Sequence, residues 1–259
     1  MRGKIIIIII FFMTYVGYCQ TQYLESFDGT QIAYTDEGRG KVVLLIHGFI
    51  NSGASWEKTL LKPMLLKEGY RVIVPDLRGT GSSDKPQKDS GYINDAEVRD
   101  LILLINKLNI KKYKAVGYSR GSIILAELLT QDKRIKKAVI GGMGLDFTNK
   151  DWSRRILFAN AFRGDTNSET KGAVDYAKSI NADLRSLHLQ QKHQPCTSLE
   201  ELSKIKAKVL IIAGDLDTDN GSPLDLQKEI PKSAIKIVNG GHNDTVKTLN
   251  FATEILDFL

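Results

Sequence analysis

The chain has few of the residues that staple or metallate a fold. Its 259 residues include two cysteines and four histidines, and no cysteine–histidine cluster offers a metal site. Only six prolines are present, and no low-complexity run or internal repeat divides the chain into linked modules. One basic face is also missing. The lysines are scattered (Lys111-Lys112, Lys136-Lys137, Lys204 to Lys208) instead of lining a periodic surface with aromatics between them. They read as a solvated surface, and no nucleic-acid partner is expected. At 42% hydrophobic and 25% charged residues, the chain is long enough for one large α/β domain carrying an insertion.

The one long apolar run stands at the start. Arg2 and Lys4 precede a continuous apolar stretch over residues 5–13, and Gly17 and Cys19 are the small residues of a cleavage site after Cys19. From Ile5 to Tyr18 a helix would rise about 21 Å at 1.5 Å per residue, short of the roughly 30 Å of a bilayer core. Residues 1–19 are therefore expected to be a signal peptide and the protein to be exported, periplasmic or secreted, with no stable membrane span after cleavage. An uncleaved anchor and lipidation at Cys19 are the alternatives; Tyr18, where lipoprotein signals want a small residue, argues against the second. Loss of Arg2 and Lys4 would take the net charge from +6 to +4. The remaining Cys196 cannot form an internal disulfide and reads as a small half-buried residue.

Beyond that segment the pattern alternates. Apolar strand-like runs over residues 23–27 and 31–35 flank Asp28-Gly29, a hairpin signal. Further runs follow at 42–46, 71–74, 112–116, 137–140, 209–213 and 234–238. Helical patterns fall between them at 56–68 (with Pro63 as a kink), 96–108, 122–130 and 224–229, and at the end over 246–259. Such alternation specifies a parallel sheet with helices on both faces, preceded by an antiparallel hairpin at one edge. Residues 146–203 break the rhythm with polar, weakly helical sequence around 152–162 and 171–189. A structureless loop of that length is improbable in a compact domain, so a helical cap insertion is expected there. The core is then 20–145 and 204–259.

Chemistry-bearing residues cluster at the ends of these strands, where ligands sit in such sheets. Gly117-Tyr118-Ser119-Arg120-Gly121 joins a strand to a helix, so the serine hydroxyl would be lifted clear of the sheet at a helix N-terminus. Acyl transfer needs two N–H donors aimed at the developing oxyanion. Arg120, after the serine, supplies one; Phe49, in His47-Gly48-Phe49 after the run at 42–46, supplies the other. His47 itself is expected to brace that loop. Asp215 and Asp217 follow the run at 209–213, Asp146 follows that at 137–140, and each is a candidate acid. His242, in Gly240-Gly241-His242, follows the last strand and is the candidate base. His188 and His193 lie in the insertion, where packing or surface roles are expected.

Together these residues resemble the α/β-hydrolase superfamily from about Tyr23 to Leu259. Asp76-Leu77-Arg78-Gly79-Thr80-Gly81-Ser82-Ser83 is similar to the family's D-x-R-G-x-G-x-S turn, which packs beside the oxyanion loop. The resemblance implies a Ser…Asp…His triad in that chain order. Gly214-Asp215-Leu216-Asp217, similar to the family's G-x-x-D, points to Asp217 as the acid, with Asp215 fixing the loop. The expected enzyme is a serine hydrolase acting on a small carboxylester, lactone or thioester through an acyl-enzyme, with no cofactor and no metal. Alternatives are a cofactor-free perhydrolase (haloperoxidase type) or a C–C bond hydrolase with the same triad, or a hydrolase-fold ligand receptor. A serine nucleophile argues against the epoxide-hydrolase and haloalkane-dehalogenase branches, which place an aspartate there.

Overall fold

The computed structural model describes residues 20–259. The signal-peptide reading of residues 1–19 lies outside the described residues. Eight strands form one sheet: β1 (Gln22–Glu25), β2 (Gln31–Glu37), β3 (Val42–Ile46), β4 (Arg71–Pro75), β5 (Tyr113–Tyr118), β6 (Ile135–Gly141), β7 (Lys208–Gly214) and β8 (Ser233–Val238). Their order is β1-β2-β4-β3-β5-β6-β7-β8. The β1–β2 and β2–β4 pairings are antiparallel and the other five parallel. The helices are α1 (Leu61–Lys67), α2 (Ala96–Lys107), α3 (Arg120–Gln131), α4 (Ser153–Arg163), α5 (Lys171–Ser179), α6 (Leu184–Lys192), α7 (Leu199–Ser203), α8 (Pro223–Glu229), α9 (His242–Thr245) and α10 (Leu249–Phe258).

The two-residue period of a strand divides each central run between two cores. In β3, Leu44 and Ile46 face a core built with α2, α3 and α8, while Val43 and Leu45 face one built with α1 and α10. All five β3 residues are buried, which is why the run is apolar throughout and not alternating. Each such side chain contributes about 1.5–3 kcal/mol by leaving water. Strands β3, β5 and β7 are buried along most of their length, whereas β8, at the sheet edge before His242, buries only Val238.

Two expected helices are broken and a third starts late, each for a local reason. The pattern over 56–68 resolves into a 3₁₀ turn, Gly53–Lys58, and then α1. Pro63 does not kink α1; it lies in its first turn, where a missing N–H costs no intrahelical bond. The pattern over 171–189 is two helices, because Asn181 takes a left-handed φ of +54° and Asp183 caps α6 by accepting from Ser186 N at 2.7 Å. The C-terminal pattern over 246–259 is a single helix that starts three residues later than expected, because Thr248 Oγ1 caps α10 by accepting from Phe251 N at 3.1 Å. Cys196 is exposed and not half-buried. Its neighbour Thr197 turns inward instead, donating to the Glu127 carboxylate at 2.9 Å.

Between β6 and β7, helices α4, α5 and α6 pack on one another and on Phe49 and Ile50 through a separate small apolar cluster that includes Phe162, Val174 and Leu187. His188 serves that packing, its Nδ1 lying 2.7 Å from Ala159 O. His193 Nε2 meets Asp89 Oδ1 at 2.6 Å at the edge of the same region.

Candidate active site

The serine stands at the junction of β5 and α3 with φ +54° and ψ −127°. A non-glycine residue held there is strained, and its surroundings leave the backbone no alternative. A Cβ on Gly117 would lie 2.4 Å from Gly121 O, and one on Gly121 would lie 2.2 Å from Ile46 O. The two glycines thus let the turn close against β3. Helix α3 begins at Arg120 itself, two residues earlier than the sequence pattern suggests.

His242 bridges the serine and an acid. Its Nε2 lies 2.9 Å from Ser119 Oγ, and its Nδ1 lies 2.8 Å from Asp217 Oδ2. The Asp217 side chain is 2% exposed, that of His242 22%. With Nδ1–H donating to the carboxylate, Nε2 presents a lone pair to the serine hydroxyl, the arrangement a general base requires. Asp215 is exposed, and its Oδ1 accepts from Gly240 N at 2.9 Å, so it fixes the loop that carries His242. Asp146 is exposed and lies against Gly221, where a Cβ would stand 2.3 Å from its Oδ1.

The loop after β3 faces the serine closely: a Cβ on Gly48 would lie 3.2 Å from Ser119 Cβ. Phe49 lines the cavity beside it, and its ring meets Phe158 and Phe162 edge-on at 6.2 and 5.3 Å. Arg120 is the first residue of α3, so its N–H has no intrahelical acceptor. His47 braces the loop. Its Nδ1 donates to Gly48 O at 2.8 Å, and its Nε2 accepts from Leu77 N at 3.1 Å. Burial pushes its pKa below the usual histidine value and keeps the ring neutral. Leu77 and Thr80 belong to the Asp76–Ser83 turn, which also holds the loop through Asp76 Oδ1, accepting from Gly53 N at 2.7 Å. Arg78 of that turn is fully buried and paired with Asp100 at 2.6 Å and Asp28 at 2.9 Å, so it has no reach into the site.

Three contacts were not legible in the sequence. The Arg120 guanidinium grips Glu97 of α2 with bonds of 2.8 and 2.6 Å and donates to Gln190 O of α6 at 2.8 Å. The elbow is thereby tied to α2 and to the helices above it. Tyr118 donates to His242 O at 2.5 Å; burial raises its pKa, so the phenol keeps its proton. The Asn220 carboxamide nitrogen lies 3.2 Å from His242 Nδ1 and 3.4 Å from Gly142 O. Nδ1 has a single hydrogen, already given to Asp217, so Asn220 packs against the ring edge and donates to Gly142. Of these, only Asn220 carries any sequence signal, by following the acid by three residues.

Ser119, His242, Phe49, Arg120, Tyr118 and Asn220 line one cavity of about 700 Å³, walled by the loop after β3, by α4 and α5, and by the loops after β7 and β8. That is within the roughly 300–1,000 Å³ of small-molecule sites.

Residues 41–192, more than half of the chain, match the family model described as alpha/beta hydrolase fold. The chain belongs to the α/β-hydrolase family. It is similar to a candidate non-heme chloroperoxidase of Synechocystis sp., 42% identical over 42% of this chain and 39% of that protein. It is also similar to epoxide hydrolase 3 of Siraitia grosvenorii, 40% identical over 38% of this chain and 30% of that protein. These matches thus span well under half of each relative's length. Among solved structures, an esterase from Exiguobacterium antarcticum superimposes with a TM-score of 0.78 at 21% identity, over 92% of this chain and 99% of that one. At that identity the likeness speaks for the fold.

Proposed function

We propose that the protein is a serine hydrolase of small ester-like substrates (carboxylester, lactone or thioester) that works through an acyl-enzyme. The observation that carries this reading is the unbroken relay from Ser119 Oγ through His242 to Asp217, with links of 2.9 and 2.8 Å. Ser119 Oγ attacks the carbonyl carbon as its proton passes to His242 Nε2. Asp217 stabilises the imidazolium and holds the tautomer. The amides of Phe49 and Arg120 bind the oxyanion. The tetrahedral adduct then expels the alcohol or thiol, which takes the proton from His242. Water, deprotonated by His242, attacks the acyl-serine, and the acid leaves with Ser119 restored. The epoxide-hydrolase reading does not carry over from the relatives so named, because that branch of the family resembled has an aspartate where Ser119 stands.

The test is turnover of 4-nitrophenyl esters with mass spectrometry of the quenched enzyme. Sustained turnover with an acyl mass on the Ser119 peptide is expected. Release of a single equivalent of nitrophenol, with no further turnover, would support the ligand-receptor alternative instead. The similarity to a candidate non-heme chloroperoxidase favours one second reading, a perhydrolase in which hydrogen peroxide replaces water at the acyl-enzyme. Peracid formation from a short carboxylic acid and peroxide, dependent on Ser119, would establish it.

A further inference from the structure

The cavity wall carries more positive charge than the protein itself answers. Among the described residues, five basic side chains line it, Lys58, Arg120, Arg154, Arg155 and Lys247, against a single carboxylate, Asp219. Three of the five are committed. Arg120 is paired with buried Glu97. Arg155 donates to the carbonyls of Gln191 and Lys192, both at 3.1 Å. Arg154 reaches Asp219 at 3.2 Å. Lys58 has no carboxylate within ion-pair distance among the described residues, and Lys247 has only exposed Asp244 at 3.8 Å.

A neutral ester offers little beyond the carbonyl that the oxyanion amides take. A carboxylate adds two oxygens with about four lone-pair sites and the charge to complement Lys58 and the loosely paired Lys247. A concave site also focuses the field of its charged rim, which raises the local concentration of anions.

We infer that the substrate of this site is an ester or lactone that itself carries a carboxylate. The inference rests on the serine-hydrolase reading and narrows its substrate class. Specificity then comes from Lys58 and Lys247 in the cavity lining.

The experiment compares kcat/KM within two matched pairs, each corrected for the hydroxide-catalysed rate. One pair, 4-nitrophenyl hydrogen adipate and 4-nitrophenyl hexanoate, puts the acid on the acyl side. The other, 4-acetoxybenzoate and 4-acetoxybenzamide, puts it on the leaving side. At low ionic strength the anionic member of at least one pair should be preferred roughly tenfold or more, and the preference should shrink in 0.5 M salt. Each lysine at about 4 Å from the carboxylate is worth roughly fivefold even in water. The anionic-to-neutral ratio should therefore drop by more than an order of magnitude in the Lys58→Gln/Lys247→Gln double variant. Preference for the neutral ester in both pairs, or a ratio unmoved in the double variant, overturns the inference while leaving ester hydrolysis standing.

A readout independent of turnover is at hand, because the two tryptophans of the chain, Trp56 and Trp152, both line this cavity. In Ser119→Ala protein, adipate should change tryptophan fluorescence saturably, and hexane-1,6-diol should not. If no ester of either pair is turned over, the serine-hydrolase reading fails and this titration still decides charge preference: no saturable response to adipate refutes it.

Discussion

Asp217→Asn is the perturbation that separates an orienting acid from two acidic neighbours of similar sequence standing. Asp217 Oδ2 is 2.8 Å from His242 Nδ1, and its other oxygen is buried without a partner. An asparagine there removes the charge that stabilises the imidazolium. It also presents a neutral acceptor, or a donor if the carboxamide is turned, to a nitrogen that must keep its hydrogen facing the acid. Loss of the correct tautomer in other triads costs on the order of 10⁴ in turnover, or about 5.4 kcal/mol at 1.36 kcal/mol per decade. Asp217→Asn should therefore lower kcat on a 4-nitrophenyl ester by three to four orders of magnitude, roughly, on that precedent. The melting temperature should stay nearly unchanged, because the substitution preserves shape in a loop. Asp215→Asn keeps an acceptor for Gly240 N–H and should cost about tenfold at most, as expected for a neutral bond replacing a charged one. Asp146→Asn should cost less still. A crippled Asp146→Asn beside a near-normal Asp217→Asn would refute the assignment of the acid and leave Ser119 and His242 in place.

Other consequences are checked by simple measurements. Glu97→Gln leaves the Arg120 guanidinium buried without its counter-charge and should destabilise the fold by about 3–5 kcal/mol, read by urea denaturation; a change under about 1 kcal/mol would mean that the pair is not buried as described. Gly121→Ala places a methyl 2.2 Å from Ile46 O and should yield protein that is insoluble or has no measurable turnover, whereas a well-folded, active Gly121→Ala would contradict the closeness of the elbow to β3. The reading of residues 1–19 as an export signal predicts an intact mass for a chain starting at Gln20 after expression in a bacterial host. Acyl chains on Cys19 would instead establish a lipoprotein, and retention of Met1 would favour an anchor.

The strands were legible because burial on both faces forces unbroken apolar runs such as Val42–Ile46, and the elbow because its glycines answer a steric demand two residues either side of Ser119. The acid was legible only through the resemblance, since spacing along the chain does not say which carboxylate of Asp146, Asp215 and Asp217 reaches His242 across β7 and β8. The break at Asp183 was missed because its stop is a side-chain cap and the apolar period runs on through it. The Arg120–Glu97 pair and the Tyr118–His242 bond join residues 23 and 124 positions apart. Long-range polar partners leave no local pattern, and only the packed structure brings them together.

The central claim is that Ser119 is a nucleophile activated by His242. A fluorophosphonate probe followed by peptide mass spectrometry tests it most directly. One label on the peptide containing Ser119 is expected, absent in Ser119→Ala and strongly reduced in His242→Ala. A label that persists in Ser119→Ala, or that lands on another peptide of the native protein, would contradict the account.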